Sequence, residues 1–384
     1  MFTKLFKRVF IIKYQITKNS CTGCGACAVS CSRKAIVMEE NRLGEVVPKI
    51  DKSLCTNCGL CMKICPQNNS PEWIYPKKCF VAWSKNEKDL IYSASGGVGV
   101  SFLRAVVKDG GVAYGCDYDE DMSLIHFQVK DVYDLVRSQS SKYSQSMAYD
   151  VFKEIEGLLL QNKKVIFIGT PCQVSGLKTY LKKEYFGLIS VDLICHGTPP
   201  NRYLKEHLSA VIDANKSISK VRFRGEFDQR ISVWSNDEII YQKDRWNDNY
   251  FNLFYKNVIS RNSCYLCQYA QAKRVSDITI GDFWGLNELL QIQRKSNRPS
   301  IILINTDKGQ NFFESVKDNL IYEERPVEEG VRGNGRLNSP PGKNYYTHFF
   351  QMLYTVFRFE TTSRIILTLE KYWSMAKNKL RGGI

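Results

Sequence analysis

The feature that most constrains this 384-residue chain is a cysteine motif that occurs twice near its N-terminus. The sequence CTGCGACAVSC covers residues 21–31, and CTNCGLCMKIC covers residues 55–65. Each copy has the spacing C-x₂-C-x₂-C-x₃-C, which places three thiols on one short loop and a fourth at the start of a helix. Such a loop binds three corners of a four-iron cube. The repeat therefore predicts two [4Fe–4S] clusters in one compact segment.

The crossed arrangement of this motif assigns the eight thiols to two clusters, because the fourth cysteine of each copy reaches the other cluster. The predicted ligands are Cys21, Cys24, Cys27 and Cys65 for the first cluster, and Cys55, Cys58, Cys61 and Cys31 for the second. A pair of zinc sites is the alternative, but zinc usually takes two C-x-x-C pairs and would leave a third cysteine in each half unexplained. We assign residues 12–75 to a ferredoxin-type dicluster domain.

Cysteine usage and charge limit the compartment and the partners. Fourteen cysteines, grouped at C-x-x-C spacing, suit metal binding better than disulfides. No signal-peptide pattern is present, and no run approaches the roughly 18 apolar residues of a membrane span; we predict a cytoplasmic protein. The formal charge is +15, but each cluster with four thiolates carries about −2 and the basic residues are dispersed. We therefore expect no nucleic-acid partner.

From residue 78 the pattern changes to alternating strands and helices. Candidate strands cover residues 80–83, 112–118, 125–129, 165–168, 188–194, 221–224, 231–234, 278–280 and 301–304. Candidate helices cover residues 98–108, 148–160, 173–183 and 203–212. This alternation predicts a sheet covered by helices, with sites at the strand ends. The predicted fold class is α+β: a ferredoxin-like dicluster domain followed by an α/β body with a mixed sheet.

Six cysteines lie outside the repeat. They are Cys79, Cys116, Cys172, Cys195, Cys264 and Cys267. The last two form a C-x-x-C pair on a predicted loop, while Cys172 and Cys195 each come at the end of a strand. Because strand ends on one rim of a sheet can converge, these four could enclose a third cluster. The other two lie within apolar strands and are interpreted as ordinary buried thiols.

Several segments of the body carry a family resemblance. They are GTPCQVSGL at 169–177, VDLICHGTP at 191–199, and the C-x-x-C pair at 264–267 followed by SDITIGDFW at 276–284. SASGG at 93–97 and KYSQS at 142–146 add two N-terminal motifs. In this order, from about residue 78 to about residue 325, the chain resembles the coenzyme F-420 hydrogenase/dehydrogenase beta-subunit family.

The resemblance implies FAD, one [4Fe–4S] cluster in the body, and electron transfer between a two-electron substrate and one-electron carriers. It implies that the body cluster is bound by Cys172, Cys195, Cys264 and Cys267. It implies flavin contacts from Ser93, Ser95, Gly96, Gly97, Lys142, Ser144, Gln145 and Ser146. Lys142 and His196 are the two catalytic candidates; a surface lysine and a turn-capping histidine are the alternatives.

We therefore predict an FAD-dependent iron–sulfur oxidoreductase. Its expected partners are a ferredoxin or redox partner subunit and a small-molecule substrate that exchanges two electrons. The alternative is a non-catalytic, ferredoxin-like electron-transfer subunit of a larger redox complex, with polysaccharide biosynthesis as one context. The motifs do not choose among substrates, and a deazaflavin coenzyme is one of them.

The body is predicted to comprise an N-terminal part, residues 78–160, and a C-terminal part with the third cluster site, residues 161–335. A basic, aromatic helical tail follows at residues 340–384. The tail is expected to pack on the body, with contact to a membrane surface or a partner as the alternative.

Two further sets of charged residues, a pair of aspartates and a pair of arginines, are interpreted as having no catalytic role. Asp277 and Asp282 are interpreted as hydrogen-bonding anchors of a loop. Arg222 and Arg224 share one strand face and are expected to face solvent, with contact to an anionic substrate as the alternative.

Overall fold

The computed structural model describes residues 20–224, 229–286 and 298–381. The predicted dicluster domain begins at residue 12, so residues 12–19 lie outside the described ranges, as do residues 382–384 of the predicted tail.

The dicluster segment consists of two short helices and a two-stranded sheet. Its elements are α1 (Ala26–Val29), β1 (Ile36–Glu40), β2 (Val46–Ile50) and α2 (Leu60–Lys63). The two strands pair antiparallel, from Ile36 opposite Ile50 to Glu40 opposite Val46. Each helix begins after a glycine with a φ of 74°, Gly25 before α1 and Gly59 before α2. Glycine adopts this left-handed backbone without the steric cost of a side chain.

The body is built on one eight-stranded mixed sheet. Its strands are β3 (Lys78–Ser84), β4 (Val112–Tyr118), β5 (Leu124–Val129), β6 (Val165–Gly169), β7 (Leu188–Leu193), β11 (Ile278–Asp282), β12 (Ser300–Ile304) and β13 (Leu320–Arg325). The order across the sheet is β13-β3-β12-β11-β7-β6-β4-β5. The central pairs β11–β7, β7–β6 and β6–β4 are parallel, and the outer pairs are antiparallel. This confirms the predicted mixed sheet, and both predicted parts of the body contribute strands to it.

Parallel strands require crossover connections, and helices provide them here. The body helices are α3 (Glu87–Tyr92), α4 (Val98–Lys108), α5 (Val132–Arg137), α6 (Phe152–Leu160), α7 (Pro171–Leu181), α8 (Asn201–Val211), α9 (Asn249–Tyr255), α10 (Asp307–Val316) and α11 (Val327–Gly333). Helix α7 begins with a capping box in which Thr170 and Gln173 satisfy each other's backbone N–H groups. The box starts α7 directly after β6, which fixes the position of the strand end.

A second, aromatic core lies beside the large sheet. It is formed by a three-stranded antiparallel sheet of β8 (Lys220–Arg222), β9 (Arg230–Ser235) and β10 (Glu238–Asp244), and by two further helices, α12 (Tyr345–Tyr354) and α13 (Phe359–Arg381). Tyr203, Tyr250 and Phe251 of the body pack with Phe350 and Phe359 of the tail in this core. The first part of the tail therefore packs on the body, as expected. None of the described helices has the length and apolar character needed to cross a membrane.

His207 joins the tail to the body through two carboxylates. Its ring is almost fully buried, with Nε2 2.8 Å from Asp248 at the start of α9 and Nδ1 2.9 Å from Glu360 in α13. Burial alone would lower the pKa of His207, but the two carboxylates outweigh burial and raise the pKa from 6.5 to about 9. The imidazolium therefore clamps α13 to the body.

This clamp predicts a loss of stability at alkaline pH. Because the folded pKa lies above the unfolded value, the contribution is full below pH 6.5 and disappears as the pH rises through about 9. A shift of this size corresponds to roughly 3 kcal/mol. Thermal melts from pH 6 to pH 10 should show the wild type losing stability over this interval. The His207→Gln variant should melt lower at pH 6 and lack this loss; parallel curves for the two proteins would contradict the clamp.

Candidate iron–sulfur and cofactor site

The structure brings the predicted first set of dicluster thiols together. Burial raises the pKa of Cys24 and Cys27, and the other thiols of the set add to this because they lie close by. The N–H groups of Gly23 and Ala26 are directed at the sulfurs of Cys21 and Cys24. Backbone N–H groups around the sulfurs are what an anionic cluster needs. These four cysteines fit one cluster.

Three of the four thiols predicted for the second cluster also lie near one another. Burial raises the pKa of Cys61, and Cys55 and Cys58 raise it further. Cys31 comes after α1 and not at the start of a helix as predicted, and its sulfur accepts the Ala35 N–H at 3.4 Å. The second loop is the more open one, because its Cys58 is exposed whereas the matching Cys24 of the first loop is partly buried.

The two loops have the same sequence pattern but opposite surroundings. A Cβ atom at Gly25 would overlap the ring of Tyr149, whereas a Cβ atom at Gly59 would meet nothing within 4 Å. A Cβ at Gly176 in α7 would lie 2.8 Å from Cβ of Cys24. The first loop is therefore pressed against the body, and the second faces outward.

The four predicted body ligands line one cavity. Cys172 is in the first turn of α7 after β6, and Cys195 follows β7. Cys264 lies in a 3₁₀ helix, Asn262–Leu266, and Cys267 comes directly after that helix. Because β6 and β7 are parallel neighbours, their carboxyl ends meet at one edge of the sheet. The 3₁₀ segment completes a cavity, partly open to solvent, that all four cysteines line.

The chemistry of this cavity fits an iron–sulfur cluster. Burial raises the pKa of Cys172, Cys195 and Cys267, and the neighbouring Cys264 adds to the effect. Four thiolates there need a bound cation, and iron keeps ligating thiols deprotonated. Arg261, Arg274 and Arg336 also line the cavity. Positive side chains of this kind offset the charge of about −2 on such a cluster.

A larger cavity of about 1360 Å³, part of it open to solvent, lies beside the thiol cavity. Six of the eight predicted flavin residues line it, namely Ser93, Ser95, Gly97, Lys142, Ser144 and Ser146. Gly96 and Gln145 do not. A Cβ at Gly96 would strike the carbonyl of Ala82 in β3, and a Cβ at Gly23 would lie 2.5 Å from Nε2 of Gln145. Gly96 therefore packs on β3, and Gln145 lies against the first dicluster loop.

The two cavities share part of their walls. Thr170, Cys195, Gly197 and Thr198 line both. Gly197 has a φ of 98°, and a Cβ there would press on Ser260 and Cys264. A ligand in the large cavity would therefore lie directly against the residues that surround the thiols.

The two catalytic candidates differ in their surroundings. The ammonium of Lys142 donates to the carbonyls of Arg137 at 2.7 Å and Gln139 at 2.5 Å, and lies 4.0 Å from Asp117. Burial lowers the pKa of Lys142, which Asp117 partly offsets. This lysine is buried and holds a loop together, so the surface alternative is wrong. His196 lines the large cavity, where desolvation by the surrounding walls and the nearby positive charge of Arg336 lower its pKa.

The structure corrects the prediction for the strand arginines. Arg222 is buried and stacks over Tyr92 at 4.4 Å, and Arg224 pairs with Asp282 at 2.8 Å. Arg222 is buried because the small sheet packs against the body at this point, and Arg224 lines the large cavity. Asp277 is the predicted anchor: its carboxylate accepts the Ser190 N–H and hydroxyl at 2.9 and 2.7 Å.

Sequence reasoning missed several cavity residues. The segment 138–141, Thr170 and Gln173 line the large cavity. Gln173 reaches from α7 to the Ser146 hydroxyl at 2.8 Å, and so fixes the KYSQS segment against the strand end. Thr170 and Gln173 both lie in the motif at residues 169–177, so the sequence could have indicated them. Serines 138, 140 and 141 stand in no motif that could have marked them.

The fold and the repeated thiol loops define a protein of the iron–sulfur class. Residues 20–69 match the family model described as "4Fe-4S dicluster domain". Residues 162–330 match the family model for the C terminus of the beta subunit in coenzyme F420 hydrogenase/dehydrogenase. The two matched regions are those in which the motifs predicted a dicluster domain and a resemblance to the coenzyme F420 hydrogenase/dehydrogenase beta-subunit family.

The chain is also similar to two individual proteins. The chain is 24% identical over 311 residues to the coenzyme F420-dependent sulfite reductase of Methanocaldococcus jannaschii; the match covers 77% of this chain but only 46% of that protein. It also resembles a chain in a structure of the xenon-derivatised F420-reducing [NiFe] hydrogenase complex from Methanosarcina barkeri. That match has a TM-score of 0.45 and 15% identity, and covers 81% of this chain and 94% of the other.

Proposed function

We propose that the protein is an FAD-dependent iron–sulfur oxidoreductase. It exchanges an electron pair with a small organic substrate in the large cavity and single electrons with an external carrier at the dicluster domain. The observation that carries this proposal is the shared wall of Thr170, Cys195, Gly197 and Thr198 between the two cavities. A flavin in the large cavity and a cluster in the thiol cavity would contact opposite sides of this wall.

The lining of the large cavity suits the polar groups of FAD, because the hydroxyl side chains of Ser93, Ser95, Ser144 and Ser146 line it. Gly97 has a φ of 74°, lines the cavity and directly precedes α4, an 11-residue helix. The free N–H groups at such a helix start bind phosphate. A bound flavin supplies the step between two-electron and one-electron chemistry.

The chain's own residues would position the ligands and exclude water. The thiol cavity would hold the body cluster through Cys172, Cys195, Cys264 and Cys267. Gly176 allows the first dicluster loop to approach α7 closely, which shortens the distance between cluster sites. His196, open to the large cavity, is the residue placed to hold or release a proton beside a ligand there.

The outward-facing loop is the proposed contact for a ferredoxin or a redox partner protein. Cys58 is exposed there, and Thr56 and Asn57 beside it are exposed as well. One-electron exchange requires a cluster near the surface, and this loop would place one there. Fourteen cysteines with no disulfide among the described residues favour a reducing compartment such as the cytoplasm.

Bound flavin separates this proposal from a non-catalytic electron-transfer subunit. Anaerobically prepared protein should release one FAD per chain on denaturation. Reductive titration should consume about five electrons per chain, two for FAD and one for each of three clusters. Protein with its full iron content but without flavin, taking up about three electrons, would favour the non-catalytic alternative.

A further inference from the structure

One buried arginine connects the thiol cavity of the body with the first dicluster loop. Arg261 is only 2% exposed and precedes the 3₁₀ helix that carries Cys264. Its backbone N–H donates to the Thr198 carbonyl at 3.2 Å, and its own carbonyl accepts the Cys264 N–H at 2.9 Å. The backbone of Arg261 therefore belongs to the loop that positions a predicted body ligand.

The side chain of Arg261 reaches the dicluster segment. Nη1 donates to the carbonyl of Thr22 at 2.6 Å, and Nη2 donates to the carbonyls of Cys21 at 3.2 Å and Val46 at 3.0 Å. A Cβ at Gly23 would lie 2.6 Å from Nη1, so the absence of a side chain at Gly23 makes this approach possible. The planar guanidinium thus binds two segments of the N-terminal domain at once.

The guanidinium of Arg261 donates only to backbone carbonyls within the described ranges, and its buried Nε has no hydrogen-bond partner there. The buried carboxylate of Glu45, next to Val46, accepts from Asn262 instead. A buried, unpaired guanidinium is costly unless an anion lies close to it. Two anions are expected here. The body cluster would sit in the cavity that Arg261 lines, and the first dicluster cluster would be bound by Cys21 and its neighbours. Each carries about −2.

We propose that Arg261 is the positioning residue that couples these two clusters: it holds the Cys21 loop against the body cavity and raises the reduction potential of both clusters. The inference rests on the proposed function, because it requires clusters at both sites. In the step it serves, one electron leaves the reduced body cluster and one oxidised dicluster cluster accepts it; no bond or proton changes place. A nearby positive charge stabilises the more negative, reduced form of each cluster.

Two substitutions separate the charge from the hydrogen bonds. Arg261→Gln keeps a hydrogen-bond donor but removes the charge. Arg261→Lys keeps the charge but loses the planar pair of Nη donors. The matched control is Arg202→Gln, since Arg202 also joins the body to the N-terminal domain, through Glu40 at 2.6 Å. The readout is the midpoint potential of each cluster in a redox titration followed by electron paramagnetic resonance on the full-length, cluster-loaded protein.

In Arg261→Gln the reduced-to-oxidised ratio at a fixed potential should fall about tenfold for both clusters, which equals 59 mV for a one-electron couple. Arg261→Lys and Arg202→Gln should stay near the wild type. Unchanged potentials in Arg261→Gln, or an equal fall in Arg261→Lys, would overturn the proposal. If Arg261→Gln does not retain its clusters, Arg261→Lys decides: wild-type potentials support the role of the charge, and lowered potentials refute it. Wild-type protein that lacks a body cluster would instead contradict the proposed function.

Discussion

Replacing Gly25 with alanine should destabilise the protein far more than the same replacement at Gly59. Both glycines have a φ of 74°, and both precede a four-residue helix in the same cysteine motif. The left-handed backbone costs any other residue about 1–2 kcal/mol, and this cost is common to both sites. Only at Gly25 does the added Cβ also overlap a side chain, the ring of Tyr149. Overpacking of this kind adds about 1–3 kcal/mol.

Thermal melts of the two anaerobically prepared variants measure this difference. Gly59→Ala should lose a modest part of its stability and keep its iron. Gly25→Ala should melt well below it and lose clusters at the first thiol set, because the loop can no longer lie against the body. Equal losses at the two positions would contradict the assignment of the first loop as the inward one.

Replacing Cys264 with serine should remove the body cluster and leave the dicluster domain intact. The four body thiols come from three separate parts of the chain, so the loss of one ligand leaves the other three without a complete site. About eight irons per chain should remain, with the ferredoxin-type signal preserved.

The matched control for this variant is Cys79→Ala. Cys79 is fully buried in β3, next to Gly330 and Ile301, and lines neither cavity. Its removal should leave the iron content unchanged. If Cys264→Ser kept the iron content of the wild type, the third cluster would not be at this cavity.

Much of this arrangement could be predicted from local sequence. The repeat at residues 21–31 and 55–65 specified two loops, and the structure gathers Cys21, Cys24, Cys27 and Cys65 as the crossed pattern requires. The short apolar runs at 165–168 and 188–194 became β6 and β7 because a strand buried on both faces needs a continuous apolar segment. Cys172 and Cys195, which follow these parallel strands, therefore lie close together.

Long-range charge pairs could not be predicted in the same way. Arg224 meets Asp282 across 58 positions, and His207 meets Glu360 across 153. No local pattern marks a residue as the partner of one so distant. The solvent-facing prediction for Arg222 and Arg224 was wrong for this reason, since strand alternation says which residues share a face but not what covers that face. Arg261 was not predicted as a functional residue, because nothing in the neighbouring sequence shows that the first dicluster loop packs on it.

Three four-iron clusters, arranged from the body to the outward loop, require a definite content of iron and acid-labile sulfide. Both should be close to twelve per chain in anaerobically purified and reconstituted protein, since each cluster contains about four of each. A count near eight would contradict the cluster at Cys172, Cys195, Cys264 and Cys267. Zinc in place of iron, without labile sulfide, would contradict all three clusters.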